Sequence, residues 1–334
     1  MKSYLGVKIT CLLPLLMSGA MSLAAAAETA EQNATPVTSA PANGGRTITF
    51  TSGAQINAMK LLSTSGGTGE RTCDLLSADA QPEPALPAGL KFATDCSLSG
   101  TLADVGEKTN KFSYQIRVRD QGGGIAQAPI LLVVNPPLIA AVEAVRLTSG
   151  GTITVPIYPF RINGGTGNTL IAYVNAQDEP VKAPSGMEFS PDGSISGKVP
   201  TSGVNLGGMK AVISDQGGGR VIKDMVWNIN APMTMDVSNV QVTAGGRLDA
   251  PAQIVKVAGG SGSIRETLYE SDGKAPAVLP DGMQFNEVNG TLEGTIPTST
   301  TEKKYVIRAV DQGGGSIERP FILKVNPPLK LSVM

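Results

Sequence analysis

The chain contains no histidine among its 334 residues. That removes the commonest general base, and with it the Ser-His and Cys-His nucleophile pairs. Aromatic residues make up only 4% of the chain, which leaves little material for the exposed aromatic platforms that hold sugars. Charged residues are also sparse at 16%, and 27 Lys and Arg stand against 28 Asp and Glu. With no basic excess to neutralise phosphates, neither nucleic acid nor an anionic membrane surface is an expected partner.

Long apolar runs are also missing, apart from one at the start. Lys2 and Lys8 open a segment that is apolar from Ile9 to Leu23, is interrupted by Ser18, Gly19 and Ser22, and ends in Ala24 to Ala27. A positive start, an apolar stretch and an Ala-x-Ala site describe an export signal over residues 1–27, removed from the mature chain. No other run reaches the ~18 to 20 residues of a spanning helix, so the mature chain is not expected to insert in a membrane. Cysteines number three, and Cys11 falls within the signal. Cys73 and Cys96 remain. In an exported chain such a pair reads as a disulfide, whereas two thiols without a histidine make a poor zinc site.

What the chain has in quantity is glycine and proline, 40 and 23 residues respectively. Their placement is periodic. Asp-Gln-Gly-Gly-Gly occurs at 120–124, 215–219 and 311–315, at intervals of 95 and 96 residues, which is a domain-sized period. Before each Asp the sequence alternates with period two: Tyr114, Ile116, Val118; Met209, Ala211, Ile213; Tyr305, Ile307, Ala309. After the glycines the alternation resumes as Ile130, Leu132, Val134; Met225, Trp227, Ile229; Phe321, Leu323, Val325. Each unit is therefore expected to be a hairpin of half-buried strands around a glycine-rich reversal.

Other landmarks recur at matching places. Thr51-Ser52-Gly53, Thr148-Ser149-Gly150 and Thr243-Ala244-Gly245 follow the first strand of each copy. Gly66-Gly67-Thr68-Gly69 returns as Gly164-Gly165-Thr166-Gly167 and Gly259-Gly260-Ser261-Gly262; strand-like sequence follows, so a phosphate-cradling loop, which needs a helix there, is not expected. Pro87-Ala88-Gly89, Pro184-Ser185-Gly186 and Pro280-Asp281-Gly282 are turns, each leading into a short strand. Each copy closes on Val134-Asn135-Pro136-Pro137, Ile229-Asn230-Ala231-Pro232 or Val325-Asn326-Pro327-Pro328, and proline there stops the strand and stiffens the joint. The reading is an all-β chain: signal 1–27, flexible leader 28–45, and repeats at 46–137, 138–232 and 233–334 forming a rod.

These motifs together, Gly-Gly-x-Gly, Leu-Pro-x-Gly-Leu-x-Phe, Asn-Gly-Thr-Leu-x-Gly, Asp-x-Gly-Gly and Val-Asn-Pro, resemble the immunoglobulin-like repeats of bacterial surface and secreted proteins; cadherin-like repeats of the dystroglycan type are similar. The resemblance spans residues 46 to 329, is fullest in the third copy, and departs from the pattern at Cys96, Ala183 and Ala231. It implies three tandem Ig-like β-sandwiches with adhesive, spacer or ligand-presenting roles in the periplasm, at the cell surface or in the medium. It does not imply a catalytic activity, and no cofactor is expected other than calcium, which cadherin-like folds often hold at joints. The partner it suggests is a protein or glycan at the cell surface, and the alternatives are a carbohydrate- or calcium-binding secreted module or the assembly subunit of a surface filament.

Four sets of residues carry candidate roles. Cys96 falls where the other copies have Gly193 and Gly290, so its bridge to Cys73 ties a turn to a neighbouring strand. Asp120, Asp215 and Asp311 either cap their own loops or, with carbonyls, hold calcium, although one carboxylate per loop is few for a cation wanting six to eight oxygens. Tyr158, aligned with Gln253, is a candidate ligand contact. Leu329, Leu331 and Val333 repeat the opening of a further copy (Leu138 to Val142, Met233 to Val237). They either lie along the third repeat or pair with a sheet edge on another subunit. No catalytic residue and no metal ligand set is assigned.

Overall fold

A computed structural model describes residues 37–39, 45–82, 84–202 and 205–332. Residues 1–27, where the export signal is expected, and most of the expected leader 28–45 lie outside the described residues, as does Val333. Every regular element among the described residues is a strand.

The period-two alternation places one face of each long strand inside. Tyr114, Ile116, Met209, Ala211, Ile213, Tyr305, Ile307 and Ala309 are all buried, and so are Ile130, Leu132, Val134, Phe321, Leu323 and Val325. In the second copy Trp227 and Ile229 are half-buried against the same core, with Trp227 stacked on Phe189 at 5.5 Å between ring centroids. Three separate hydrophobic clusters result, running from Ile48 to Val134, Leu138 to Ile229, and Met233 to Val325.

In the first copy one sheet has the strand order Val37–Ser39, Arg46–Thr51, Ile125–Asn135, Asn110–Asp120, Arg71–Ser77. A second sheet, Gln55–Lys60, Ser97–Thr101, Leu90–Phe92, supplies Ile56, Leu98 and Leu90 to the same core. The hairpin Asn110–Asp120 to Ile125–Asn135 recurs as Lys210–Asp215 to Arg220–Asp224 and as Thr301–Asp311 to Ser316–Asn326, antiparallel each time. The middle glycine of each loop (Gly123, Gly218, Gly314) has φ between 84° and 87°, a conformation that side-chain-bearing residues resist. The Pro-x-Gly turns also form, with Leu90, Met187 and Met283 donating backbone N–H to Pro87, Pro184 and Pro280 at 2.9 to 3.1 Å.

One pairing brings a turn and the exit of each copy together. In each copy the strand that leads into the Thr-Ser-Gly or Thr-Ala-Gly turn runs parallel to the last strand: Arg46–Thr51 to Ile125–Asn135, Val145–Thr148 to Trp227–Asn230, and Val240–Thr243 to Ser316–Asn326. Parallel neighbours end at the same pole. Hence the Thr-Ser-Gly or Thr-Ala-Gly turn sits beside the exit of the copy, with Ser52, Ser149 and Ala244 donating N–H to the Asn135, Asn230 and Asn326 carbonyls at 3.0, 3.0 and 2.9 Å.

Candidate functional site

Each Asp-Gln-Gly-Gly-Gly loop is closed by its own carboxylate. Oδ1 accepts from Gly124 N (2.6 Å) in the first copy, from Gly217 N and Gly219 N (2.9 and 2.7 Å) in the second, and from Gly313 N and Gly315 N (2.8 and 2.7 Å) in the third. Oδ2 reaches across to the other glycine landmark and accepts from Thr68 N, Thr166 N or Ser261 N, each at 2.8 Å. Asp120, Asp215 and Asp311 thus join two glycine-rich loops whose amides no strand ladder satisfies. Hydrogen bonds from Thr68 N and then Gly124 N hold the Asp120 carboxyl below the usual carboxylate range. Gly67, Gly165 and Gly260 touch these carboxylates so closely that a Cβ at any of them would overlap Oδ2.

Two of the three carboxylates have a further donor, from the preceding copy. The Thr51 hydroxyl donates to Asp215 Oδ2 at 2.7 Å and is hydrogen-bonded to the Thr166 hydroxyl at 2.8 Å, while Thr51 N donates to Gly217 O at 2.9 Å. At the next joint the Thr148 hydroxyl donates to Asp311 Oδ2 at 2.6 Å and Thr148 N donates to Gly313 O at 3.0 Å. Ser261 Oγ donates back to Leu147 O at 2.6 Å, and Thr152 N to Gly314 O at 2.7 Å. Thr51, Thr148, Thr166 and Ser261 are buried by these contacts. The linkers are pinned as well, with Gly165 N donating to Pro136 O and Gly260 N to Ala231 O at 3.1 and 3.0 Å. Both joints are therefore built on one plan, around a carboxylate whose oxygens face N–H and O–H donors that a cation would have to displace.

Asp215 and Asp311 read in the sequence as loop caps or calcium ligands, and Thr51 and Thr148 as turn residues, and neither reading contains the contacts between copies. The available signal was the recurrence of a hydroxyl residue at one pole of each copy and of an acid at the other. Among the described residues no group of three or more acidic or cysteine side chains converges on one point.

The remaining candidates lie apart from the joints. Cys73 and Cys96 form a disulfide with Cα atoms 5.2 Å apart. Cys96 occupies the left-handed backbone position (φ 67°) that glycine takes as Gly193 and Gly290, and a Cβ built on those glycines points at Ile171 and at Glu266. The same slot is thus filled by a bridge in the first copy, by Ile171 in the second, and by Glu266 in the third. Glu266 is buried, its Oε2 has no hydrogen-bond partner, and desolvation raises its pKa. Tyr158 is 62% exposed in the turn between Thr152–Ile157 and Phe160–Asn163. Beyond Asn326, residues 327–332 form no strand, and Leu329 and Leu331 are 86% and 92% exposed. No helix among the described residues is long and apolar enough to cross a membrane.

Residues 232–326 match the family model described as "Putative Ig domain". That segment lies in the third copy, and the first two carry the same landmarks, the same parallel pairing and the same hairpin. No curated protein matches the sequence. Among solved structures, the I67-I69 I-band fragment of titin is 12% identical with a TM-score of 0.30, covering 84% of this chain and 95% of that one. Extracellular domains 3-5 of Drosophila OTK are 14% identical with a TM-score of 0.27, covering 87% and 95%. Drosophila N-cadherin EC1-4 is 12% identical with a TM-score of 0.23, covering 84% and 74%. At such scores the superpositions are loose, and the sandwich assignment rests on the strand pairing and the family match.

Proposed function

We propose that this chain of tandem immunoglobulin-like domains is an exported, non-catalytic spacer or presenting protein of a bacterial envelope, with a protein partner. The repeats are taken as 46–137, 138–232 and 233–334. The observation that carries the reading is the joint: the same hydroxyl-to-carboxylate contact, Thr51 to Asp215 and Thr148 to Asp311, is made twice between successive copies. Polar groups buried between domains fix one relative orientation better than a bare linker does, and a held orientation is what spacing or presentation requires. The Cys73–Cys96 bridge suits an oxidising compartment, in keeping with the export signal.

Fractionation of the producing cell, followed by capture of whatever the mature chain binds, tests the reading. A mature chain cut near Ala27, oxidised at Cys73 and Cys96 and recovered outside the cytoplasm with a protein partner is the expected result. Recovery from the cytoplasm with both thiols reduced overturns it. For the glycan and calcium alternatives, binding by Tyr158-bearing wild type but not Tyr158→Ala, or a melting temperature raised by calcium, is the result that would replace it.

A further inference from the structure

The two joints inside the chain define a set of contacts, and the first and third copies each present one unmatched half of that set. In the second copy the strand Ile139–Val142 pairs antiparallel with Phe160–Asn163, and Leu138 enters the core. In the third, Thr234–Val237 pairs with Val255–Ala258, and Met233 and Met235 enter the core. The corresponding segment of the first copy, residues 62–65, has no strand partner among the described residues. In place of that strand, the Arg71 guanidinium donates to Thr64 O (3.3 Å), Thr64 Oγ1 (3.0 Å) and Gly66 O.

Beside this segment lies a groove of about 360 Å³, between residues 62–67 and 124–128, with Ile116 and Val118 among its lining and Asp120 at its rim. It is the place the missing strand would take, because Ile139–Val142 in the second copy packs between Phe160–Asn163 and Arg220–Asp224. The glycines report the vacancy atom by atom. A Cβ on Gly164 or Gly259 would collide with the carbonyl of Pro137 or Pro232, but one on Gly66 has nothing within 4 Å among the described residues. A Cβ on Gly165 or Gly260 would lie 2.9 or 3.0 Å from Leu138 or Met233, whereas among the described residues the three atoms nearest a Cβ on Gly67 all belong to Asp120. The sequence just before Arg46–Thr51, where a first-copy strand would have to come from, is Pro41-Ala42-Asn43-Gly44-Gly45, which lacks the alternating apolar residues of 138–142 and 233–237. The nearby strand Val37–Ser39 pairs with Arg46–Thr51 instead.

The missing half is present on the third copy. Asn326-Pro327-Pro328-Leu329-Lys330-Leu331 repeats Asn135-Pro136-Pro137-Leu138-Ile139-Ala140, and Leu329 and Leu331 stand in solvent where Leu138, Met233 and Met235 are buried. Thr243, equivalent to the buried Thr51 and Thr148, is exposed. We propose that the partner for the first-copy groove is a second copy of this chain. Its residues 327–332 add as an antiparallel strand beside residues 62–65, with Leu329 and Leu331 in the groove and the Thr243 hydroxyl on Asp120, making a third joint on the plan of the other two. The added strand takes over the carbonyls that Arg71 covers. Because the two halves lie on different copies, the contact is head-to-tail, and it propagates as a linear assembly unless its rotation closes a ring. The inference stands on joint geometry and is independent of the role and location proposed above.

The register of Ile162 with Ala140 places Leu331 opposite Thr64. The test therefore mixes the full mature chain carrying Thr64→Cys with the chain carrying Leu331→Cys under mild oxidation, and follows the mass of the unsubstituted chain against concentration by sedimentation. Cross-linked pairs joining one Thr64→Cys copy to one Leu331→Cys copy are expected, together with concentration-dependent assembly. Leu331→Asp should weaken that assembly about tenfold or more without lowering the melting temperature, because the side chain is solvent-exposed in the free chain. A chain that stays monomeric at all concentrations and gives no mixed cross-link overturns the proposal. A groove filled by the chain's own leader, seen as protection of residues 62–67 that is lost on deleting residues 28–45, also overturns it. So does assembly unaffected by Leu331→Asp.

Discussion

The Thr148 hydroxyl donates to Asp311 Oδ2 at 2.6 Å across 163 residues of chain, and Thr51 makes the same contact with Asp215 at 2.7 Å. A hydrogen bond to a charged acceptor contributes about 1.5–3 kcal/mol, more than a neutral one. Thr148→Val keeps the shape of the side chain and removes the donor. It is expected to loosen the second joint by about that amount while leaving each sandwich folded. Proteolysis at the 229–233 linker, slow in the parent chain, should accelerate, and Thr51→Val should do the same at 134–138. Unchanged cleavage at both linkers would remove the joint's claim to rigidity.

Asp120 shares the loop bonds of Asp215 and Asp311, so its titration can be followed without a neighbouring copy. Its folded pKa lies below the ordinary value, with the Thr68 N–H as the largest cause. A depressed carboxyl pKa means that the stabilisation is present above the unfolded pKa and is lost as pH falls through the folded one. The amides of Thr68 and Gly124 should therefore exchange faster, relative to intrinsic rates, as pH drops through the acid range. Asp120→Asn should exchange faster already at neutral pH, with its acid dependence flattened. Equal protection in both chains at every pH would contradict the loop-closing role.

Glu266 has the opposite sign. Burial raises its pKa, so the folded state favours the protonated form. Its contribution is most favourable below the unfolded pKa and declines as pH rises through the folded one. Glu266→Ile, which installs the second copy's residue at this slot, is expected to stabilise the third repeat at neutral pH by about 1–3 kcal/mol, the cost of an unsatisfied buried polar group. The gain should shrink toward acid pH. Denaturant melts of parent and variant at two pH values check both the sign and the trend.

The fold was legible because its determinants are local. Alternation at Tyr114, Ile116 and Val118 and the turn at Pro280-Asp281-Gly282 are each contained in a few residues, and the copies repeat them. The bridge was legible because Cys73 and Cys96 are the two cysteines outside the expected signal, and the glycines at Gly193 and Gly290 only marked its place. The joint was not, because Thr51 meets Asp215 only once the strand ending at Thr51 lies parallel to the last strand of its copy, and no short window contains that pairing. Nor was the groove, since an unfilled site beside residues 62–65 is a property of a strand that is missing. The tail at Leu329 and Leu331 was recognised from its likeness to Leu138 and Met233, but its complement in the first repeat was not.

The slot beside Ile171 also isolates the effect of the disulfide. Replacing Cys73 by Ile and Cys96 by Gly copies the second repeat's pair, so packing is approximately retained while the cross-link is lost. Closing a loop of this size restricts the unfolded chain by about 2–4 kcal/mol. The double variant should destabilise the first repeat by that amount, and the second and third transitions should not move. Reduction of the parent should give a loss of similar size. If reduction costs far more than the double variant, the buried thiols are themselves disruptive, and the loop-closure account is too small.

The comparison of Gly66 with Gly164 reads the groove through stability alone. Both have positive φ, 69° and 71°, so alanine at either incurs the left-handed penalty of about 1–2 kcal/mol. At Gly164 the new Cβ also runs into the Pro137 carbonyl, which the linker cannot withdraw without giving up the bond from Gly165 N to Pro136 O. At Gly66 it meets no atom of the described residues within 4 Å. Gly164→Ala should therefore lower its repeat's melting temperature well beyond the fall caused by Gly66→Ala in dilute solution. At concentrations where copies associate, the Pro328 carbonyl of another copy takes the place of Pro137, and Gly66→Ala should suppress assembly although the isolated chain tolerates it. Equal losses for the two variants in dilute solution would mean that Gly66 is covered within the single chain, and the groove would not be open to a second copy.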